Sequence, residues 1–351
     1  MELVPNAEHD ALRATLRRFL AEHCPSRHVR EVMTSTQGWD RPLWKRLASD
    51  LGVVGLGVPE GSGGCGGGVR DMAVVCSEVG RALAPVPLLT HALAVAAVMA
   101  SDDDSARAEL LAPLVAGDLV AAWAPDPGVT AARERLSGMS PAVLDGTAAD
   151  LVVLPAGGQL YAVRTDAGGV RVITLSTMDP TRRLARLELN EAPARRIACA
   201  EPATLVARIV DLAAVLLAAE QVGGLTRCVE MTVEHARVRT QFGRAIGSFQ
   251  AVKHRCADMY TAAELSDAVA WYAAWAADEA PAEFPVAANL AKVQVSEAFC
   301  RISADTVHLH GGLGFTWEHD AQLHYKRART SAQLFGNPTS HRFRLADRLG
   351  V

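Results

Sequence analysis

The chain has 351 residues, half of them hydrophobic, with a formal charge of −4. A single hydrophobic core stops growing near about 250–300 residues, so more than one domain is expected. Acids and bases are mixed along the chain, which excludes the basic face that a nucleic-acid partner needs. No apolar run approaches about 20 residues without a charge, so no segment is expected to span a membrane. The acidic start, Met1-Glu-Leu-Val-Pro-Asn-Ala-Glu8, lacks the apolar centre of a signal peptide. Seven cysteines (Cys24, Cys65, Cys76, Cys199, Cys228, Cys256 and Cys300) contain no CxxC pair and no zinc-ligand spacing. They read as core thiols of a cytoplasmic protein, and no metal is expected.

From residue 7 to 23, Leu12, Leu16, Phe19 and Leu20 recur at helical spacing, and Pro25 ends the helix. A second helix is expected over 41–51, with Pro42 in its first turn. The glycine run 52–68 is not followed by Gly-Lys-Ser/Thr and has no suitable strand before it, so a bend between helices is expected rather than a phosphate loop. Asp71 can cap the next helix, which Pro85 and Pro87 terminate, and helices over 88–99 and 105–115 follow. The texture then changes. Short β-prone runs at 143–144, 151–154, 160–163 and 170–174, punctuated by Gly146, Gly157-Gly158 and Gly168-Gly169, predict a small antiparallel β domain. After Pro202, apolar periodicity resumes over 205–239, interrupted only by Gly223-Gly224, and continues over 252–278, 286–308 and 320–334. Four long helices with short connections predict an antiparallel bundle. The expected division is a helical domain over 1–118, a β domain over 119–200 and a helical bundle over 201–351, a mostly α chain with a middle β domain.

Two stretches carry candidate chemistry. In Arg239-Thr-Gln-Phe-Gly-Arg-Ala-Ile-Gly-Ser-Phe-Gln250, arginines flank a turn at Gly243. A guanidinium there can grip a pyrophosphate through two parallel hydrogen bonds, Phe242 offers a flat apolar surface and Gln250 an amide. A plain helix–turn–helix with surface arginines is the alternative. In His308-Leu-His-Gly-Gly-Leu-Gly-Phe315, Gly311, Gly312 and Gly314 strip side chains from a helix end, so that backbone N–H groups can approach a ligand. An ordinary C-cap uses glycine too, but does not need three in four positions.

Taken together, Arg-x-Gln-Phe-Gly-x-x-Ile-x-x-Phe-Gln and the later His-Gly-Gly-x-Gly-Phe-Thr resemble the signature of the acyl-CoA dehydrogenases. The segments 51–60, 78–85 and 257–259, with Leu136-Ser-Gly138 and Ala149-Asp150, also fit that family, so the resemblance covers the whole chain. It implies the family's three-part fold, FAD as cofactor, an acyl-CoA thioester as substrate and an electron-transfer flavoprotein as electron acceptor. Arg239, Phe242 and Gln250 match positions that hold the FAD of a neighbouring subunit. His308, Gly311 and Gly312 match the segment that closes over its adenosine diphosphate, with His308 where a glutamine is common.

Three departures accompany the resemblance. The position of the usual catalytic glutamate is Phe335, followed by Gly336. The alternative position on the first bundle helix is Ala213. The flavin motif of the β domain reads Ala124-Pro-Asp-Pro-Gly-Val-Thr130, which lacks or displaces a hydroxyl that would touch the flavin. Removing an α-proton beside a thioester calls for a positioned base, an effect of about 10²–10⁴-fold in rate. Glu220 lies two helical turns from Ala213, about 11 Å of rise, and is read as a structural group with relocated base as its alternative. Glu318 and Asp320 read as loop residues. The pattern is similar to the base-lacking subunit of heteromeric steroid-type enzymes, in which a sister chain supplies the glutamate and two copies of each chain assemble. Two other readings stand beside it. One is a self-sufficient homo-oligomeric flavoenzyme with a relocated base or an altered acyl or acyl-carrier substrate. The other is a non-catalytic scaffold that binds acyl-CoA or a partner.

Overall fold

The computed structural model describes residues 3–125 and 128–350. In chain order the helices before the sheets are α1 (Ala7–His23), α2 (Ser26–Thr34), α3 (Arg41–Ser49), α4 (Val69–Ala82), α5 (Leu88–Met99) and α6 (Asp104–Val115). The strands are β1 (Ala121–Trp123), β2 (Val129–Ala132), β3 (Arg135–Leu144), β4 (Leu151–Ala156), β5 (Gln159–Arg164), β6 (Val170–Thr174), β7 (Leu184–Pro193) and β8 (Arg195–Ile197). There follow α7 (Pro202–Val238), a hairpin of β9 (Thr240–Gln241) and β10 (Arg244–Ala245), then α8 (Gln250–Glu279), α9 (Phe284–His310), a single turn α10 (Gly312–Phe315), α11 (Ala321–Gln333) and α12 (Pro338–Leu349). The mostly helical architecture with a middle sheet region is the one expected.

Side chains set many of the helix starts. The Asn6 side chain accepts from the Glu8 and His9 amides at 3.0 Å each, while His9 Nδ1 accepts from the Asn6 amide at 3.1 Å, a reciprocal cap. Asp40 caps α3 through the Leu43 amide at 2.9 Å. Asp71 also satisfies a helix start, but from inside α4, reaching back to the Gly68 amide at 2.8 Å. The glycine run forms two short 3-10 turns, at Val53–Gly55 and Glu60–Ser62.

The chain packs as two units that alternate in sequence. One comprises Met1–Arg27, Ala73–Ala84 and Ala214–Val351, and the other comprises His28–Met72 and Pro85–Ala213. In the second unit, β1-β4-β5-β8 and β2-β3-β7-β6 form two four-stranded sheets. Both face one apolar core containing Ala122, Leu136, Val152, Leu154, Val163 and Leu187. The pairing is antiparallel with one exception, since β1 runs parallel to β4, with Ala121 opposite Leu151. That pairing corrects the wholly antiparallel expectation. A parallel neighbour needs a long crossover, here the β2–β3 excursion into the other sheet.

Helix α5 lies against β1 and α6 in this unit. The Ala121 amide donates to His91 Nδ1 at 3.1 Å, and the His91 ring packs edge-on to Trp44 at 4.9 Å. His91 is therefore the neutral tautomer with its proton on Nε2, and complete burial lowers its pKa to about 4. Because the folded value lies below the unfolded value near 6.5, the unfolded chain takes up the proton first as the pH falls. Acid is expected to remove about 3 kcal/mol from this unit between pH 6.5 and 4. Chemical unfolding of the His91→Gln variant over that range should show a smaller acid loss than the parent.

In the first unit α9 is central and packs against α8, α11 and α12. Helix α7 runs through Gly223-Gly224 without a break, so these glycines do not interrupt it. A Cβ on Gly223 would fall inside the Ser77 carbonyl oxygen of α4, and one on Gly80 inside the Glu220 carbonyl oxygen. A Cβ on Gly224 would lie 2.6 Å from the Phe299 ring. The glycines let α4 and α7 cross with their backbones nearly in contact. Among the described helices α7 alone is long and apolar enough to cross a membrane, and 56% of its most apolar window is buried inside the protein.

The seven cysteines are free, but they are not uniformly core thiols. Cys24, Cys76 and Cys228 are buried, whereas Cys65 is exposed in the glycine run. Burial pushes the Cys228 thiol up to about 12, which leaves it unreactive.

Candidate functional site

The arginine stretch forms a tight hairpin at the end of α7. Gln241 pairs with Arg244, leaving Phe242 (φ +53°) and Gly243 (φ +74°) as the two loop residues. Both lie in the left-handed region, the signature of a type I′ turn. Glycine adopts it freely. Phenylalanine does so at a cost, and its ring is held at the apex, 90% exposed. Phe249 stands edge-on to Phe242 at 6.0 Å, and the Arg244 guanidinium lies 4.1 Å over the Phe249 ring. Arg239 is exposed; its amide donates to the His235 carbonyl and its carbonyl accepts from the Ile246 amide. No carboxylate pairs with Arg239 or Arg244 among the described residues. Gln250 opens α8, with its amide nitrogen 3.2 Å from His254 Nε2.

The second stretch ends α9. His308 is exposed in the last turn. Gly311 takes φ +60° and ψ −141°, and α10 begins after it. A Cβ on Gly311 or Gly312 would meet nothing within 4 Å, so the backbone there borders open space. Leu313, Phe315 and Trp317 are exposed beside it, at 48%, 84% and 67%. Unpaired guanidinium donors beside a bare backbone turn fit an anionic, phosphate-bearing group. His235, one turn before Arg239, stacks on His310 at 4.3 Å between centroids, and His310 lies 4.4 Å from His319. These rings bring the ends of α7 and α9 together.

Neither expected base position holds a carboxylate. Ala213 is fully buried in α7. Phe335 follows α11 in the left-handed region at φ +55°. The turn around it is firmly held. Buried Lys292 donates to the carbonyls of Ser331 and Ala332 at 2.9 and 3.2 Å, neutralising the C-terminal end of α11. The ring nitrogens of His341 lie 2.8 Å from Asn289 Oδ1 and 3.0 Å from the Phe335 carbonyl oxygen. Glu220 is 4% exposed and ion-paired at 3.1 Å with Arg327, itself equally buried. That pairing gives Glu220 a structural part between α7 and α11. Glu318 is exposed, while Asp320 accepts from the Ser26 hydroxyl. Of the β-domain flavin motif, Asp126 and Pro127 lie outside the described residues. Among the described residues no cluster of three His, Cys, Asp or Glu side chains is arranged to hold a metal.

The sequence reading missed Lys292, His341 and the histidine stack. Only the His308-x-His310 spacing hinted at the stack, because its other members come from α7 and from the segment before α11.

Comparison with known proteins agrees with this architecture. Residues 6–118 match the acyl-CoA dehydrogenase N-terminal domain, and residues 204–350 match the C-terminal domain. The acyl-CoA dehydrogenase IpdE2 of Mycobacterium tuberculosis (strain ATCC 25618 / H37Rv) is 41% identical over 96% of this chain and 95% of its own length. The fold is similar to a chain of the ChsE4-ChsE5 complex from Mycobacterium tuberculosis, with TM-score 0.92, 30% identity, and coverage of 100% of this chain and 99% of that one. It is also similar to a Tcur3481-Tcur3483 steroid ACAD, with TM-score 0.89, 29% identity and 98% coverage of both chains. The chain therefore belongs to the acyl-CoA dehydrogenase family, with FAD as its cofactor.

Proposed function

We propose that this chain is the subunit of a heteromeric acyl-CoA dehydrogenase that helps to hold FAD but does not supply the catalytic base. The observation that carries this reading is the absence of a carboxylate at both family positions. Phe335 and Ala213 stand there, and the nearby Glu220 is engaged by Arg327. The similarity to the ChsE4-ChsE5 complex and to the Tcur3481-Tcur3483 steroid ACAD supports a sister subunit as partner and a steroid-type CoA thioester as substrate. An electron-transfer flavoprotein is the natural electron acceptor of such an assembly.

The chemistry that FAD supplies when bound is acceptance of a hydride from the β-carbon of the thioester. The residues of this chain that would hold it are Arg239, Phe242, Gln250, His308, Gly311 and Gly312. Arg239 offers a planar fork of donors to the pyrophosphate, and the glycines leave backbone N–H groups open to it. Phe242 presents an apolar face. Phenylalanine and alanine cannot take up the α-proton, so that proton goes to a carboxylate of the sister subunit.

Co-expression with a companion acyl-CoA dehydrogenase chain tests the assignment through the flavin bound per chain, measured with and without the companion. Turnover of acyl-CoA only by the co-purified pair is expected. A homo-oligomer of this chain alone that carries a full complement of flavin and oxidises acyl-CoA would overturn it. In the pair, Arg239→Gln is expected to weaken FAD binding by about tenfold to a hundredfold, the worth of a charge-assisted hydrogen bond. Arg239→Lys should recover little of this, since an ammonium lacks the planar fork.

A further inference from the structure

We propose that His310 is a positioning residue, the middle ring of an imidazole clasp from His235 to His319 that ties the arginine hairpin to the glycine turn and loosens in acid. The proposal rests on the flavin-holding role given above to those two segments.

The clasp joins three stretches of chain. His235 lies in the last turn of α7, four residues before Arg239. His310 is the last residue of α9, directly before Gly311. His319 lies between Trp317 and the start of α11. The first two rings are nearly parallel, at 25° and 4.3 Å, and the second and third are tilted by 49° at 4.4 Å. His310 is only 6% exposed. A shift of either helix end therefore separates or collides rings that both candidate cofactor segments depend on.

The hydrogen bonds identify where protons go. His310 Nδ1 lies 2.7 Å from the Thr306 carbonyl oxygen, so Nδ1 donates and Nε2 is the nitrogen that can gain a proton. His319 Nδ1 accepts from the Ala321 amide at 3.2 Å, so a proton there ends that bond and frees the start of α11. The groups acting on His235 are His310, Arg239 and His319, all of them basic. The C-terminal ends of α7 and α9 favour imidazolium, but burial is the leading influence on both His235 and His310 and lowers both. Burial thus favours the neutral form of both rings. As the pH drops below the ordinary histidine range, a proton on His235 adds a cation beside basic groups and one on His310 a cation in a desolvated site. The clasp opens from these two rings, His319 being flanked in the chain by Glu318 and Asp320.

Two measurements on the full-length chain with its co-purified companion test this. The first is FAD affinity from pH 8 to 5.5, read by flavin fluorescence. The second is hydrogen exchange of segments 236–250 and 308–320 over the same range, corrected for intrinsic rates. In the wild type, affinity is expected to fall about tenfold or more, and protection of the two segments should fall together. His310→Phe, whose ring stacks at any pH, should flatten both profiles relative to its own value at pH 8; His235→Phe provides the same test at the half-buried end. Equal acid losses in wild type and both variants, or unchanged protection in the wild type, would overturn the clasp. Absence of FAD binding at every pH, with a coordinated loss of protection that His310→Phe abolishes, would remove the flavin assignment and leave the clasp standing.

Discussion

Replacing Arg327 by Met is expected to destabilise the unit containing α7 and α11 by about 3–5 kcal/mol, the usual cost of removing one partner from a buried ion pair. Glu220 and Arg327 are each 4% exposed and lie 3.1 Å apart. Without Arg327 the carboxylate loses this ion pair in a region of low dielectric, which favours uptake of a proton or entry of water. The Arg327→Met/Glu220→Met double variant should recover most of the loss, because two apolar side chains often pack there as well as the pair. Denaturant unfolding checks this through a lower midpoint at unchanged slope. The same logic separates the two parts that Glu220 could play. If Glu220 is structural, Glu220→Gln lowers stability while turnover per folded complex stays close to wild type. A selective loss of turnover at unchanged stability would make Glu220 a base and displace the subunit assignment.

The second large effect is expected at Gly223. In an exposed helix interior, Gly→Ala stabilises by about 1 kcal/mol. Here Gly223→Ala should instead destabilise by about 3 kcal/mol, since the added methyl overlaps the Ser77 carbonyl and forces α4 away from α7. Gly80→Ala pushes on the same crossing from the other helix, through the Glu220 carbonyl. Once either has separated the helices, the other costs less, so the pair should be clearly less than additive. Equilibrium unfolding of the three variants gives the sign directly. A stabilised Gly223→Ala protein would mean that the two backbones are not in contact.

Many local features were legible without coordinates. The extent of α1 follows from apolar spacing ended by Pro25, and the start of α5 from Pro85 and Pro87. Strands β4, β5 and β6 were found because β-prone runs are separated by glycines. Other elements gave weaker local signals. Strand β7 carries arginine and glutamate between its buried Ala185, Leu187 and Leu189, and was not singled out. Helix α12 is polar almost all round, with His341 as its buried residue. Helix α2, just after Pro25, is short and buries only Val29 and Met33.

By itself the sequence determined the family, through motifs in the right order, and it put Phe335 and Ala213, neither able to hold a proton, where a carboxylate was expected. It also marked the arginine and glycine stretches, since their chemistry is written locally in guanidinium groups and missing side chains. Only the tertiary structure decided what Glu220 faces, why α7 carries paired glycines, and that His235, His310 and His319 form one stack. Each of these depends on residues distant in sequence, 107 residues apart for Glu220 and Arg327. Helical periodicity reports which face of a helix is apolar, but the partner it meets is fixed by how the helices pack.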